Sequence, residues 1–234
     1  MAVTLSPLPD SSSAACARLS RRLWQRPRDI SRVIDHALAA PEIAGFTGPQ
    51  RIYIAGHSLG GFTAALLAGA RYDAEGLERF CAAAPGDLVC GILQGWHVAE
   101  TPAGRKAMEA DLSDPRIKGF ALFDLGGTVS FAPASLAAIR RPMLIHGAPV
   151  MNSGLTLDRE SRALAAALPA GGSRYIEPET PAHFDFLGQC KPGGFGILAK
   201  AEPGDEIICA GGGAERAAKH KKIIAEVAEF FSRN

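Results

Sequence analysis

No stretch of this chain is apolar for long enough to cross a bilayer. The N-terminus has no basic segment followed by an apolar one, so no signal peptide is expected in the chain as it stands. Net charge is almost nil, +1 over 234 residues, so charge gives no argument for binding nucleic acid. Near the five cysteines there is neither a C-x-x-C pair nor a histidine at ligand spacing, which argues against a metal centre. Internal repeats are absent, and nothing marks a second domain.

What is there suits a single globular domain. With 47% hydrophobic and 21% charged residues, the chain can bury a sizeable core as one domain over 1–234. Segment 73–114 loosens into short helical pieces around Trp96 and is too long for a simple connection, so it is expected to be a helical excursion or a cap that shapes the pocket. Of the cysteines, Cys81 and Cys90 would close a short loop, while Cys190 and Cys209 flank a Gly/Pro-rich one, with Cys16 left over. Spacing alone leaves buried free thiols and two disulfides equally open.

The stretch that organises the rest is Arg51 to Ala70. Alternating β-formers (Ile52, Tyr53, Ile54) lead into Gly56-His57-Ser58-Leu59-Gly60, and strong helix formers follow. Strand, G-x-S-x-G, helix is the context of a nucleophile elbow. The serine sits in a strained turn, and Gly56 and Gly60 are expected to remove side chains that would collide with the strand and helix. Ser58 then stands at the positive end of the helix, where the Leu59 N–H can hold an oxyanion. The plainer reading is a βα turn with a serine cap.

The remaining pattern alternates strands with helices. A helix is expected over Arg28–Ala40, begun after Pro27, with Ile30, Val33, Ile34, Ala37 and Leu38 on one face. Strands are expected at 2–6, 117–124, 142–147 and 173–177, helices at 157–168 and 215–231, and loops at 7–13 and 191–213. The fold class is α/β: a mostly parallel sheet with helices on both faces, of the α/β-hydrolase kind.

A serine nucleophile needs a base, and the base an orienting acid. His183 follows the last expected strand, where this fold places its base. His36 and His220 lie in helices, His97 in the irregular segment, and His57 is expected to point elsewhere. His146 ends a strand and is expected to be a satisfied structural histidine. For the acid, the usual place after strand 142–147 reads Ala148-Pro-Val-Met-Asn-Ser-Gly154 and holds no carboxylate. Asp124, ending the preceding strand, takes the role, with a turn-forming Asp as its alternative. Asp158 and Asp185 are weaker candidates. No metal or organic cofactor is called for, and the expected partner is a small-molecule ester.

Arg21 to Asp35, the Gly-His-Ser-Leu-Gly-Gly elbow, Asp114-Pro-Arg-Ile-Lys118, Asp124 and Ala182-His-Phe-Asp-Phe-Leu187 together resemble the predicted dienelactone hydrolases, bacterial relatives of platelet-activating-factor acetylhydrolase. The resemblance runs roughly from Val3 to Phe231. It implies a serine esterase with Ser58, Asp124 and His183 as its triad. It also implies disulfides Cys81–Cys90 and Cys190–Cys209, and export to the periplasm or beyond for a full-length form. A true dienelactone hydrolase carries cysteine in the elbow, so activity on dienelactone is not implied by Ser58. The resemblance further implies a longer lead before the elbow than the 57 residues here. Val3 to Asp10 corresponds to the strand and Pro-rich loop that follow the family's oxyanion loop. The chain is therefore expected to be N-terminally truncated, lacking the first strands and the loop that gives the second oxyanion donor. A catalytically impaired remnant of the fold is the alternative function.

Overall fold

The computed structural model describes residues 21–40, 51–150, 153–210 and 213–234. The expected strand at 2–6 and loop at 7–13 lie outside them.

Among the described residues four strands form the sheet: β1 (Ile52–His57), β2 (Ile117–Phe123), β3 (Met143–His146) and β4 (Arg174–Ile176). They lie in the order β1-β2-β3-β4, and every pairing is parallel. Parallel neighbours need crossovers, which here are largely helical. Between β1 and β2 come α2 (Leu59–Ala68), α3 (Ala74–Ala83), α4 (Leu88–Gly95) and α5 (Pro102–Met108). Then α6 (Pro133–Ala138) leads to β3 and α7 (Ser161–Ala167) to β4. Helix α1 (Gln25–Ala39) precedes the sheet; α8 (Gly194–Ala201) and α9 (Gly213–Arg233) follow it. This is a parallel sheet flanked by helices, an α/β-hydrolase-like topology.

The side-chain alternation of β2 and β3 divides the interior in two. Phe120, Leu122, Met143 and Ile145 face the larger core with Phe62 and Leu66 of α2 and Ile30 and Ile34 of α1. Ala121 and Leu144 face the other way, onto Phe230 of α9, with Phe123, Ile176, Val227 and Phe231 around them. Being covered on both faces, β2 from Gly119 to Phe123 and β3 from Met143 to Ile145 are unbroken apolar runs rather than alternating ones. Strand β1 is only half-buried, with Ala55 exposed, and among the described residues it pairs on one side only. No helix among these residues is long and apolar enough to cross a membrane.

Several boundaries differ from expectation. Helix α1 starts at Gln25, so Pro27 sits buried inside its first turn rather than ahead of it, a place where its missing N–H costs nothing. Only Ser161–Ala167 of the helix expected from Leu157 is α-helical. Glu160 caps it outside helical geometry (φ −115°, ψ −101°), and its side chain reaches the Gly127 and Thr128 N–H groups of another loop. The expected loop at 191–213 contains α8 and a 3-10 turn at Asp205–Cys209. A disulfide joins Cys190 to Cys209 across this hairpin, and a second joins Cys81 to Cys90. These are the pairs the family resemblance implies.

A bond closing a loop over a sequence separation of 19 removes denatured-chain entropy worth about 3 kcal/mol. Replacing Cys190 and Cys209 together by serine is expected to lower unfolding free energy by up to that amount. Urea denaturation of the oxidised parent and the variant reads the difference, which should vanish when the parent is first reduced.

Candidate active site

The elbow is set by one close approach. A Cβ on Gly56 would lie 2.2 Å from the Gly60 carbonyl oxygen, inside any real contact distance. A Cβ on Gly60 would meet nothing within 4 Å, so the expected role of Gly60 is corrected. Gly60 supplies backbone, and it is Gly56 that makes room. The second tight glycine is Gly61, where a Cβ would lie 2.7 Å from Leu125 Cβ. Between them Ser58 is forced to φ 53° and ψ −118°, a region a non-glycine residue occupies only under constraint. Its N–H donates to the Phe123 carbonyl at 3.0 Å, extending the β1–β2 ladder by one residue. Its side chain makes no capping hydrogen bond to α2. The serine-cap alternative therefore has no bond behind it, and Leu59 opens α2 with one of the first-turn N–H groups that have no intrahelical acceptor.

Asp124 follows β2 directly, beside the end of β1, since Phe123 and His57 are register partners. It is buried, 3% exposed, and its backbone is left-handed at φ 41°. Its N–H donates to the His146 carbonyl at 2.8 Å. Oδ1 accepts the Ala148 N–H at 3.1 Å, and Oδ2 lies 2.7 Å from His183 Nδ1. The segment that lacks a carboxylate thus supplies a backbone donor to the carboxylate that is present. An imidazole carrying its proton on Nδ1 donates it to Asp124 Oδ2 in this geometry.

The loop that carries His183 has its own anchor. His183 opens a 3-10 turn, His183–Phe186. Asp185 Oδ2 accepts the Ala182 N–H at 3.0 Å and Lys219 Nζ at 2.6 Å, and Arg216 Nε lies 3.4 Å from Oδ1. His220 Nε2 meets the Asp185 carbonyl at 2.7 Å. Burial opposes the charge of Asp185, but the Ala182 N–H, Lys219 and Arg216 outweigh it and hold its carboxyl below the usual range. Asp185 fixes the loop to α9 and has no part in orienting the imidazole from Nδ1. Asp158 is ion-paired with Arg162 at 2.8 Å on the surface.

The remaining histidines separate clearly. His57 does not point elsewhere: its ring centre is 4.4 Å from that of His183 and 6.0 Å from Phe186. Burial first, and the neighbouring His183 second, push its pKa down to about 3, which keeps it neutral. His146 is fully buried, yet neither ring nitrogen has a hydrogen-bond partner among the described residues, contrary to the expected satisfied histidine. Glu226 Oε2 is 3.5 Å from its Nε2, and burial lowers its pKa to about 4. His97 is exposed beside Glu100, and His36 is exposed on α1. Among the described residues no three His, Cys, Asp or Glu side chains gather as a metal site would.

Two supporting groups had no signature in the sequence. Ala148 acts through its N–H, which any non-proline residue offers. Glu160, 2% exposed, accepts the N–H groups of Gly127 and Thr128, both at 2.8 Å, in the turn that begins at Asp124. Burial raises its pKa to about 8 against the lowering effect of those two bonds.

No known protein family, curated protein or solved structure matches the chain, so the fold stands on its topology and the site on its geometry.

The elbow sterics predict an asymmetry. Gly56→Ala should prevent folding or sharply destabilise the strained turn at Ser58, whereas Gly60→Ala should express and melt like the parent; soluble yield and thermal melting of the two check it. Glu160 predicts a pH effect of definite sign. Its folded pKa, about 8, lies above the ordinary 4.5, so its contribution is complete below pH 4.5 and is lost as pH rises towards 8. Glu160→Gln should therefore gain stability relative to the parent as pH increases across that window, read as the difference in melting temperature.

Proposed function

We propose that this protein is a serine hydrolase of carboxylic esters. The observation that carries the reading is the buried 2.7 Å contact between Asp124 and His183 beside a strained serine at the same end of the sheet. His183 Nε2 takes the Ser58 proton as Oγ attacks the ester carbonyl. The Leu59 N–H, at the positive end of α2, stabilises the oxyanion of the tetrahedral intermediate. His183 then protonates the leaving alcohol, and water repeats the sequence on the acyl-enzyme. Asp124 holds the tautomer and stabilises the imidazolium. Neutral His57, packed against the base, adds no competing charge at neutral pH.

The segment resemblance adds a family to this reading, that of the predicted dienelactone hydrolases and the acetylhydrolases related to them. Serine in the elbow favours ester chemistry of the acetylhydrolase kind over dienelactone opening. The substrate is then a small ester, the whole chain acts as one domain, and 73–114 borders the site as an excursion or cap. Arg159 Nη1 bonds Asp87 Oδ2 at 2.7 Å, which ties that segment to the one carrying Glu160.

A fluorophosphonate probe should label the protein at Ser58, as read by peptide mass spectrometry, and Ser58→Ala should abolish labelling. Asp124→Asn should slow turnover of p-nitrophenyl acetate by about 10⁴-fold, the scale seen when a triad acid is replaced by its amide. Labelling elsewhere would contradict the assignment. No labelling together with no turnover would favour a non-catalytic form of the fold.

A further inference from the structure

The turn after β2 must deliver Asp124 in a backbone conformation that an aspartate does not adopt freely, φ 41°. Apolar neighbours wall it in. Leu125 lies against Gly61, a Cβ on Gly127 would lie 2.7 Å from the Phe62 ring, and one on Gly126 would lie 3.0 Å from Leu155. Such contacts limit the volume available to the turn without setting its direction. Direction comes from hydrogen bonds, and on this side of the turn Glu160 supplies two. Its Oε2 accepts from both Gly127 and Thr128, at 2.8 Å each.

Burying a carboxyl group is expensive unless its bonds return the cost. Here both bonds go to consecutive backbone donors of one turn, a geometry that fixes a peptide plane. The same oxygen can accept both whether the group is ionised or, as a neutral acid, uses its carbonyl. Asp124 has little tolerance for movement, because its two oxygens serve different partners, Ala148 N–H and His183 Nδ1. A small rotation of the turn would lengthen one of these.

We propose that Glu160 is a positioning residue for the acid. By clamping Gly127 and Thr128 it holds the Asp124 backbone where the carboxylate can reach His183 and Ala148 together. This rests on the serine-hydrolase reading for its effect on rate, though not for its effect on the His183 ring.

The test compares wild type, Glu160→Ala, Glu160→Gln and Glu160→Asp. It reads p-nitrophenyl acetate kinetics, the fluorophosphonate labelling rate, melting temperature, and the ring nitrogen shifts of His183. Glu160→Ala should lower kcat and the labelling rate by up to about 100-fold, the scale of a small misplacement of reacting groups, with KM near the wild-type value. Glu160→Gln, whose amide oxygen can accept both N–H groups, should restore most of the rate and the His183 shifts. If the alanine variant fails to fold, Glu160→Asp carries the comparison: one methylene shorter, it should fold and yet react slowly. A folded alanine or aspartate variant at wild-type rate would overturn the proposal, as would glutamine and alanine variants equally impaired. Should wild type neither label nor turn over, the hydrolase reading fails, and the His183 shifts decide alone. A shift in the alanine variant that the glutamine variant restores supports the clamp; unchanged shifts overturn it.

Discussion

The hydrogen bond between Asp124 Oδ2 and His183 Nδ1 is the contact on which the rest of the site depends. Both groups are buried, with side chains 4% and 6% exposed, so neither can exchange its partner for water at low cost. Holding them together takes three separate parts of the chain. The end of β2 carries Asp124, with its N–H tied to β3 through the His146 carbonyl. The loop after β3 offers the Ala148 N–H to the other carboxylate oxygen. The loop after β4 brings His183, and Asp185, Lys219, Arg216 and His220 moor that loop to α9. A sheet of parallel strands places all these loops at one edge, which is why residues far apart in sequence meet there.

The elbow obeys a different constraint, one of volume. Strand β1 and helix α2 approach so closely that a single methyl group at Gly56 would strike the Gly60 carbonyl. The strain this places on Ser58 is supported by α2, whose residues from Gly61 to Ala68 are all buried. Packing energy in the core thus sustains an unfavourable backbone at the surface of the site. Helix α1 reinforces the arrangement through Arg26, whose Nε donates to Thr63 Oγ1 at 3.0 Å. Further from the site, Asp114 accepts from Ser31 on α1 and from Arg116 at the foot of β2, which joins the same helix to the sheet.

Much of this was legible where the physics is local. A run of β-formers, a glycine-flanked serine and a run of helix formers specify strand, turn and helix within twenty or so residues. Asp124 is legible by elimination, since Ala148 to Gly154 holds no carboxylate, and the Ala148 N–H of that same segment donates to Asp124 Oδ1. The remainder depends on contacts that sequence spacing does not encode. Glu160 reads as one more polar residue in a helix until Gly127 and Thr128 are brought to it. His57 reads as a bystander because its ring meets His183 only once the last loop folds back. In segment 191–213 the glycines and prolines hid a short helix, which a disulfide and its packing on a 3-10 turn hold in place. The error at Gly60 has the same origin: the spacing of two glycines says that backbones approach, and not which of them would collide.

The claim at the centre is that one buried proton sits between Asp124 and His183 and orients the imidazole. Proton NMR with nitrogen-15-labelled histidine addresses it directly. A resonance far downfield of the amide envelope, coupled to the Nδ1 nitrogen of His183, should appear in the wild type, persist in Ser58→Ala and vanish in Asp124→Ala. Its absence from the folded wild type, or its survival without Asp124, would contradict the account.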